Sequence, residues 1–165
     1  MKKIIVIGCA GAGKSVFSRA LRDKIGLPLY HLDLIYWRED GTTLEKSAFQ
    51  EILQSILDRD EWIIDGNYSS TMELRIQACD TVIFLDYPTE VCLDGIAKRA
   101  GKYRSDMAWK QAGDIDDAEF VEFVKNYNLQ NRPRVIELLE NYTDKRIVVF
   151  KSREESERYL KSIKI

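Results

Sequence analysis

An eight-residue stretch near the start of the chain has the spacing of a phosphate-binding loop. Residues Gly8–Ser15 fit the pattern G-x-x-x-x-G-K-[ST] and follow the apolar run Ile4–Ile7. Glycines let backbone N–H groups surround phosphate oxygens, Lys14 places a positive charge on the β- and γ-phosphates, and the Ser15 hydroxyl can ligate Mg²⁺. We therefore expect a nucleoside triphosphate site. Its expected contacts are Gly8, Ala10, Gly11, Ala12, Gly13, Lys14, Ser15 and Val16.

Two aspartates follow other apolar stretches, at the ends of predicted strands. Asp65 comes directly after Trp62–Ile64, as an acidic residue near Mg²⁺ should, although Asp-Gly is also a strong turn pair. Asp33 ends a predicted strand over residues 29–32, where it can bind an acceptor, act as a base towards its hydroxyl, or simply cap a turn. We expect Asp65 at the metal and substrate, together with Ser15 at the metal, and Asp33 at the acceptor.

Basic residues are scattered along the remaining chain. Transfer of a phosphoryl group between anionic ligands needs several cations and the exclusion of water. A mobile basic lid that closes over both ligands would provide them, whereas any single basic residue is more often a solvated surface charge. The candidates are Arg75, Lys98, Arg99, Lys102, Arg104, Arg132 and Arg134.

The elements that position these residues alternate between strand and helix. Such alternation predicts one α/β domain around a parallel sheet, with ligands at the carboxyl ends of the strands. Residues 33–43 are expected to be mostly loop, and residues 90–142 mainly helical with a polar interruption at 98–110. Strands are predicted at 3–7, 29–32, 62–64, 81–85 and 146–150, and helices at 14–25, at 49–57 and at the carboxyl end of the chain.

Composition limits the function classes. The chain has 165 residues, a formal net charge of −2 and three cysteines, and its sequence pI is about 5.6. These values fit one domain, and they argue against a broad basic face for duplex DNA. Scattered cysteines, an amino terminus that runs into a strand and the lack of an apolar span favour a cytoplasmic protein that does not bind membranes. No Asn-Lys-x-Asp motif for guanine is present.

Three segments resemble the adenylate-kinase-like P-loop kinases, and specifically the DNA topology modulation (FlaR-related) proteins. They are Gly8–Ser15, His31–Trp37 and Trp62–Tyr68; Arg104–Met107 and Asn131–Pro133 are also similar to that group. The similarity spans nearly the whole chain, but only the first segment is individually specific. Adenylate kinases proper carry Asp-Gly-Phe-Pro-Arg where this chain has Asp-Gly-Asn-Tyr-Ser at 65–69.

The resemblance implies a three-layer P-loop fold with a five-stranded parallel sheet in the order 2-3-1-4-5. It implies a single domain, with its core at about 1–98 and 116–165, a helical lid at about 99–115 and an acceptor-binding region at about 33–75. It places the adenine near residues 151–153. It assigns Asp33, Trp37 and Arg75 to the acceptor, and Arg99, Arg104 and Arg132 to the phosphates.

Aromatic side chains fall in the predicted acceptor region. Tyr36, Trp37 and Tyr68 can stack on a base, although packing into the core is the commoner role of such residues. For Trp37 the two roles are equally expected, and for Tyr36 packing is favoured. His31 lies within a strand, where a packed or turn-bonded role is expected rather than that of a general base.

Three functions remain open. The first is a Mg²⁺- and ATP-dependent kinase for a small acceptor, by resemblance a nucleotide or nucleoside, with Lys14, Asp33, Arg99, Arg104 and Arg132 catalytic. The second is a kinase for a non-nucleotide alcohol or acid, as in the shikimate and gluconate kinases. The third is a nucleotide-dependent DNA-binding regulator, which the acidic pI disfavours. The expected partners are a small-molecule acceptor and no stable nucleic acid, with a monomer or weak homodimer as the assembly.

Overall fold

A computed structural model describes residues 1–102, 105–107 and 118–163. Within them five strands alternate with helices, as the sequence predicts. The strands are β1 (Lys3–Gly8), β2 (Leu29–His31), β3 (Trp62–Asp65), β4 (Thr81–Leu85) and β5 (Arg146–Phe150). The helices are α1 (Lys14–Ile25), α2 (Leu32–Tyr36), α3 (Lys46–Leu57), α4 (Ser69–Ala78), α5 (Thr89–Arg99), α6 (Ala118–Gln130), α7 (Arg132–Glu140) and α8 (Arg153–Ser162).

The strands form one parallel sheet in the order β2-β3-β1-β4-β5. Strand β1 lies at the centre, with Ile5 in register with Ile64 of β3 and Val82 of β4. This order confirms the predicted three-layer α/β fold. It also brings the residues that follow β1, β2 and β3 to one edge of the sheet.

The sheet is covered on both faces, and successive residues of β1 pack into opposite cores. Ile5 and Ile7 belong to a cluster that also contains the buried side chains of α3, α4 and α7. Ile4 and Val6 belong to a second cluster, with those of α1, α5 and α6. Because a strand alternates its side chains between faces, a strand buried on both sides must be apolar throughout. No helix in the described part of the chain is long and apolar enough to cross a membrane.

The acceptor region departs from its prediction. Residues 33–36 are helical instead of loop, because Leu32–Tyr36 forms helix α2. Residues 37–43 are a loop closed by an antiparallel bridge between Trp37 and Thr43. Asp33 therefore lies in the first turn of a helix instead of in a loop after a strand. The predicted lid at 99–115 falls mostly outside the described residues, and so does Arg104.

The phosphate loop is held against α5 by a contact of backbone on backbone. A Cβ atom on Gly11 would lie 2.0 Å from the carbonyl oxygen of Cys92, and one on Gly95 would lie 2.0 Å from the carbonyl oxygen of Gly11. Neither neighbour is a flexible side chain that can move aside. The close approach therefore requires glycine at both positions.

We predict that Gly95→Ala destabilises the protein by about 1–3 kcal/mol, since the added methyl group overpacks this contact. At an ordinary helical position the same change would stabilise by up to about 1 kcal/mol. Urea unfolding of the variant and the wild type measures the difference. An unchanged or raised midpoint would contradict the contact.

Candidate functional site

The loop between β1 and α1 has the geometry of an anion cradle. Gly8, Gly11 and Gly13 adopt φ values of 150°, 81° and 93°, in the range that favours glycine. Helix α1 begins directly afterwards, and its N-cap residue, Gly13, has no side chain that could cap the first turn. Its free N–H groups and the positive end of its dipole therefore face the loop, as phosphate binding requires.

Lys14 reaches back across this loop. Its Nζ donates to the carbonyl oxygens of Gly8 at 2.9 Å and Cys9 at 3.1 Å. Burial lowers the pKa of its ammonium, while the charges of Asp33 and Asp65 oppose that shift. Both predicted carboxylates are thus close enough to act on the loop lysine, so the fold brings these three residues together.

Asp65 lies at the end of β3 and is only 3% exposed. Its Oδ1 is 2.8 Å from Nδ1 of His31, so the histidine is bonded to the carboxylate of the neighbouring strand and not within a turn. Its Oδ2 is buried and has no hydrogen-bond partner among the residues that the structure describes. A buried carboxylate oxygen without a donor is costly unless a cation or its water satisfies it.

The residues present fit Mg²⁺ held jointly with a triphosphate. Ser15 lies in the first turn of α1 beside the phosphate loop, and the Oδ2 of Asp65 is available. Groups of three or more His, Cys, Asp or Glu side chains that could hold an ion are absent from the described ranges. Mg²⁺ commonly binds through one or two protein ligands, substrate phosphates and water, so a protein cage is not required.

Asp33 is half-buried and is held by a tyrosine. The Tyr68 hydroxyl donates to its Oδ1 at 2.6 Å, and burial, with the Asp33 charge, raises the pKa of that phenol. The ring of Tyr36 lies 5.2 Å from that of Tyr68, 5.3 Å from Phe49 and 5.4 Å from Trp37. We call these four rings the aromatic cluster. It adjoins the carboxylate that is expected to meet the acceptor.

Arg75 lies behind the site and not in it. The side chain is fully buried, and it donates to the carbonyl oxygens of Gly66 at 2.9 Å, Tyr68 at 3.2 Å and Asn67. Burial lowers its pKa to about 10, which leaves it charged at neutral pH. These bonds hold Tyr68 in a left-handed conformation with φ of 36°, which is uncommon outside glycine. The expected direct contact of Arg75 with the acceptor therefore has no geometric support in this arrangement.

Asn67 connects this loop to the phosphate loop. Its Oδ1 accepts a hydrogen bond from the backbone N–H of Gly8 at 3.0 Å. The segment 66–68 thus contacts the donor side through Asn67 and the acceptor side through Tyr68, with Arg75 beneath it. Sequence reasoning missed Asn67, and it placed Tyr68 in the acceptor region without its bond to Asp33. The pair Asn-Tyr directly after Asp-Gly was a visible signal.

Arg132 is engaged by an aspartate that the sequence analysis did not select. Asp86 follows β4 and is 6% exposed; its two oxygens accept from Nε and Nη2 of Arg132 at 2.6 and 2.8 Å, and Lys151 also bonds to it. The position of Asp86 directly after an apolar strand could have marked it in the sequence as a site residue. The arrangement fixes two cations at the same edge of the sheet as the phosphate loop.

The other predicted residues differ in placement. Arg99 is near enough for its charge to lower the pKa of Lys14, and its Cζ lies 5.8 Å from the Phe120 ring centroid. Val16 is 65% exposed at the start of α1. In the region expected to hold adenine, Nη2 of Arg153 donates to the Gly11 carbonyl oxygen at 3.3 Å.

Solved structures with the same fold include two shikimate kinases and a sugar kinase. Shikimate kinase from Acinetobacter baumannii in complex with shikimate gives a TM-score of 0.64 and 15% identity, covering 99% of this chain and 90% of that one. A sugar kinase from Janibacter sp. HTCC2649 gives a TM-score of 0.55 and 16% identity, and the similarity covers 98% of this chain and 91% of that one. Shikimate kinase from Bacteroides thetaiotaomicron gives a TM-score of 0.57 and 18% identity, and the similarity covers 96% of this chain and 93% of that one.

These similarities establish the P-loop kinase fold. No protein-family model matches the chain, and no curated protein does. The narrower resemblance to topology modulation proteins therefore stays a prediction. At this level of identity, the acceptors named for the solved structures belong to those proteins alone.

We predict that Arg75→Met lowers the free energy of unfolding by at least about 2 kcal/mol, because each buried carbonyl left without a donor costs about 1–3 kcal/mol. Methionine retains most of the apolar volume, so the loss reports the hydrogen bonds. Denaturant unfolding provides the measurement. Arg134→Met, at an exposed position of α7, is the control and should stay within about 0.5 kcal/mol.

We also predict that Asp86 stabilises the folded protein at neutral pH and that this stabilisation is lost in acid. Burial alone raises the pKa of this carboxyl, but the bonds from Arg132 and Lys151 outweigh burial and hold the pKa below its usual range. A depressed carboxyl pKa stabilises the fold above the unfolded value, and that stability is lost as the pH falls through the folded value.

Asp86→Asn should therefore cost about 1–3 kcal/mol at pH 7, and its difference from wild type should shrink below about pH 4. Unfolding free energies measured between pH 3 and 7 provide the test. Asp144→Asn is the control, since the side chain of Asp144 is 71% exposed. A difference that does not depend on pH would contradict the ion pair.

Proposed function

We propose that this protein is a Mg²⁺- and ATP-dependent phosphotransferase that moves the γ-phosphoryl group of ATP to a hydroxyl of a small acceptor. The observation that carries the proposal is the meeting of Lys14, Asp65 and Asp33 at one edge of the sheet, where the charges of both carboxylates act on the lysine ammonium. A donor cradle, a metal-binding carboxylate and an acceptor-side carboxylate are the parts that phosphoryl transfer to an alcohol requires.

In the proposed reaction, the acceptor oxygen forms a bond to the γ-phosphorus while the bond from that phosphorus to the β,γ-bridging oxygen breaks. The hydroxyl proton passes to the carboxylate of Asp33, and ADP leaves. Tyr68 orients that carboxylate through its 2.6 Å bond. The phosphate loop and Lys14 hold the triphosphate in line with the hydroxyl.

Mg²⁺, held by Ser15, Asp65 and the phosphates, would neutralise negative charge on the transferred group. Arg99 and Arg132 are proposed to act on the same phosphates. Arg132 would do so from its bidentate bond with Asp86, which fixes the orientation of the guanidinium group. Arg104 retains its predicted role there.

The acceptor class was left open between nucleotides or nucleosides and non-nucleotide alcohols or acids. The shikimate and sugar kinases of the same fold support the second class, since their names refer to hydroxylated small molecules. The AMP-type assignment loses support because Arg75, expected at the acceptor, bonds to backbone carbonyls instead. We therefore favour an acceptor that is not a nucleotide.

Lys14→Met should lower kcat for ADP formation by at least about 100-fold, because the variant loses the charge that stabilises the transferred phosphoryl group. A coupled assay of ADP release with a panel of small alcohols provides the measurement. Lys24→Met, near the opposite end of the same helix, is the matched control and should retain wild-type turnover. Equal activity of the Lys14 variant and the wild type would refute the mechanism.

A further inference from the structure

We infer that the phosphoryl acceptor is an uncharged ring alcohol, whose hydroxyl approaches Asp33 and whose ring packs against the aromatic cluster. The inference rests on the proposed function and narrows it to a substrate class. It disfavours nucleoside monophosphates and ring carboxylates. Two separate features support it, namely the charges around Asp33 and the aromatic side chains next to it.

The described acceptor side of the site contains the carboxylate of Asp33, whose bonded neighbour is the uncharged hydroxyl of Tyr68. Burial lowers the pKa of the Lys14 ammonium, the charges of Asp33 and Asp65 oppose that shift, and the charge of Arg99 adds to it. That ammonium bonds to carbonyl oxygens of the phosphate loop and so belongs to the triphosphate side. Asp65 is assigned to Mg²⁺, so a phosphate or carboxylate beside the reacting hydroxyl would meet the like charge of Asp33, which opposes its binding.

Arg75 does not offset this charge by contact with the acceptor. Its side chain is fully enclosed, and both of its Nη atoms donate to backbone carbonyl oxygens of residues 66–68. An anionic acceptor could recruit it only by breaking those bonds, which would leave buried carbonyls without donors. Arg75 therefore stabilises the loop at residues 66–68 and does not bind an anion.

The neighbouring exposed loop does not reverse this balance. Arg38 is followed by Glu39 and Asp40, so the three residues carry one positive and two negative charges. Hydrogen bonds from Thr42 lower the pKa of the Asp40 carboxyl, and the Arg38 charge adds to that shift. The Arg38 charge is thus partly compensated by a carboxylate in its own loop.

The aromatic cluster supplies the second feature. Tyr68 joins it to Asp33 through the 2.6 Å hydrogen bond, so the rings lie directly beside the reactive carboxylate. Trp37 packs edge-on against Tyr36, with an interplanar angle of 84°, and is partly exposed. Aromatic faces bind flat or apolar ring surfaces without requiring charge.

The test compares acceptors that differ by one charge. Binding of uridine and UMP, and of methyl shikimate and shikimate, is measured by calorimetry on the full chain with Mg²⁺ and a non-hydrolysable ATP analogue filling the donor site. We expect the uncharged member of at least one pair to bind at least about tenfold more tightly. Equal or tighter binding of the anionic members, or no binding by any of the four, would overturn the inference.

Two variants connect the preference to named side chains. Asp33→Asn should reduce the discrimination between paired ligands at least about threefold, an effect that a purely structural role would not produce. Trp37→Ala should weaken the uncharged ligand at least about tenfold, and Trp37→Phe should recover part of the loss. The control is Asp60→Asn, at an exposed position before β3, and it should change neither the discrimination between paired ligands nor the affinity for the uncharged ligand. An unchanged discrimination ratio in Asp33→Asn would also overturn the inference.

ADP release with the same ligands separates the two levels of the proposal. If the uncharged member binds more tightly but no ADP forms with either member, the acceptor class stands and phosphoryl transfer fails. If ADP forms faster with the anionic member and that member also binds more tightly, transfer stands and the acceptor class fails.

Discussion

The site depends on the buried guanidinium of Arg75. Its hydrogen bonds to three consecutive carbonyl oxygens hold the segment 66–68 in a shape that the backbone would not adopt alone, with Tyr68 at φ of 36°. Strained conformations of this kind persist only where the surrounding structure fixes them. From that fixed segment, Asn67 contacts the phosphate loop and Tyr68 contacts Asp33. One buried cation therefore positions groups on both sides of the site.

The charges of the site follow from where strands end. Carboxylates come after β2, β3 and β4, and the lysine of the phosphate loop comes after β1. Because all these strands are parallel, their carboxyl ends meet at one edge, and opposite charges meet there too. Within the described part of the chain, Asp65 keeps one oxygen without a donor, whereas both oxygens of Asp86 bond to Arg132 or Lys151. Two aspartates in similar positions thus differ in what they can bind.

Much of this was predictable from the sequence, for physical reasons. The runs Ile4–Ile7 of β1, Trp62–Ile64 of β3 and Val82–Leu85 of β4 are apolar because both faces of these strands are covered. The phosphate loop has a sequence motif because its backbone conformation requires glycine. The resemblance supplied the strand order. Helix α4 was not predicted, since its buried residues include Thr71 and Arg75, which hide the apolar stripe that normally marks a helix. Helix α2 was missed because five residues are too few to show a period.

The role of Arg75 could not be predicted because its partners are backbone carbonyls, which leave no signature in side-chain spacing. Its neighbours in sequence and its charge suggest an anion contact, and only its burial reveals another role. The same holds for the bond from Gly8 to Asn67. Contacts to the backbone are therefore where sequence reasoning about this site is weakest.

The contact between Gly11 and Gly95 extends the phosphate-binding motif beyond its usual boundaries. Each glycine touches the backbone of the other's segment, so the requirement for a hydrogen atom in place of a side chain is shared by two positions far apart in the chain. Only one of them belongs to the familiar pattern. The phosphate loop thus limits which residues position 95 can accept. A survey of variants should find that position 95 tolerates as few substitutions as a glycine of the motif.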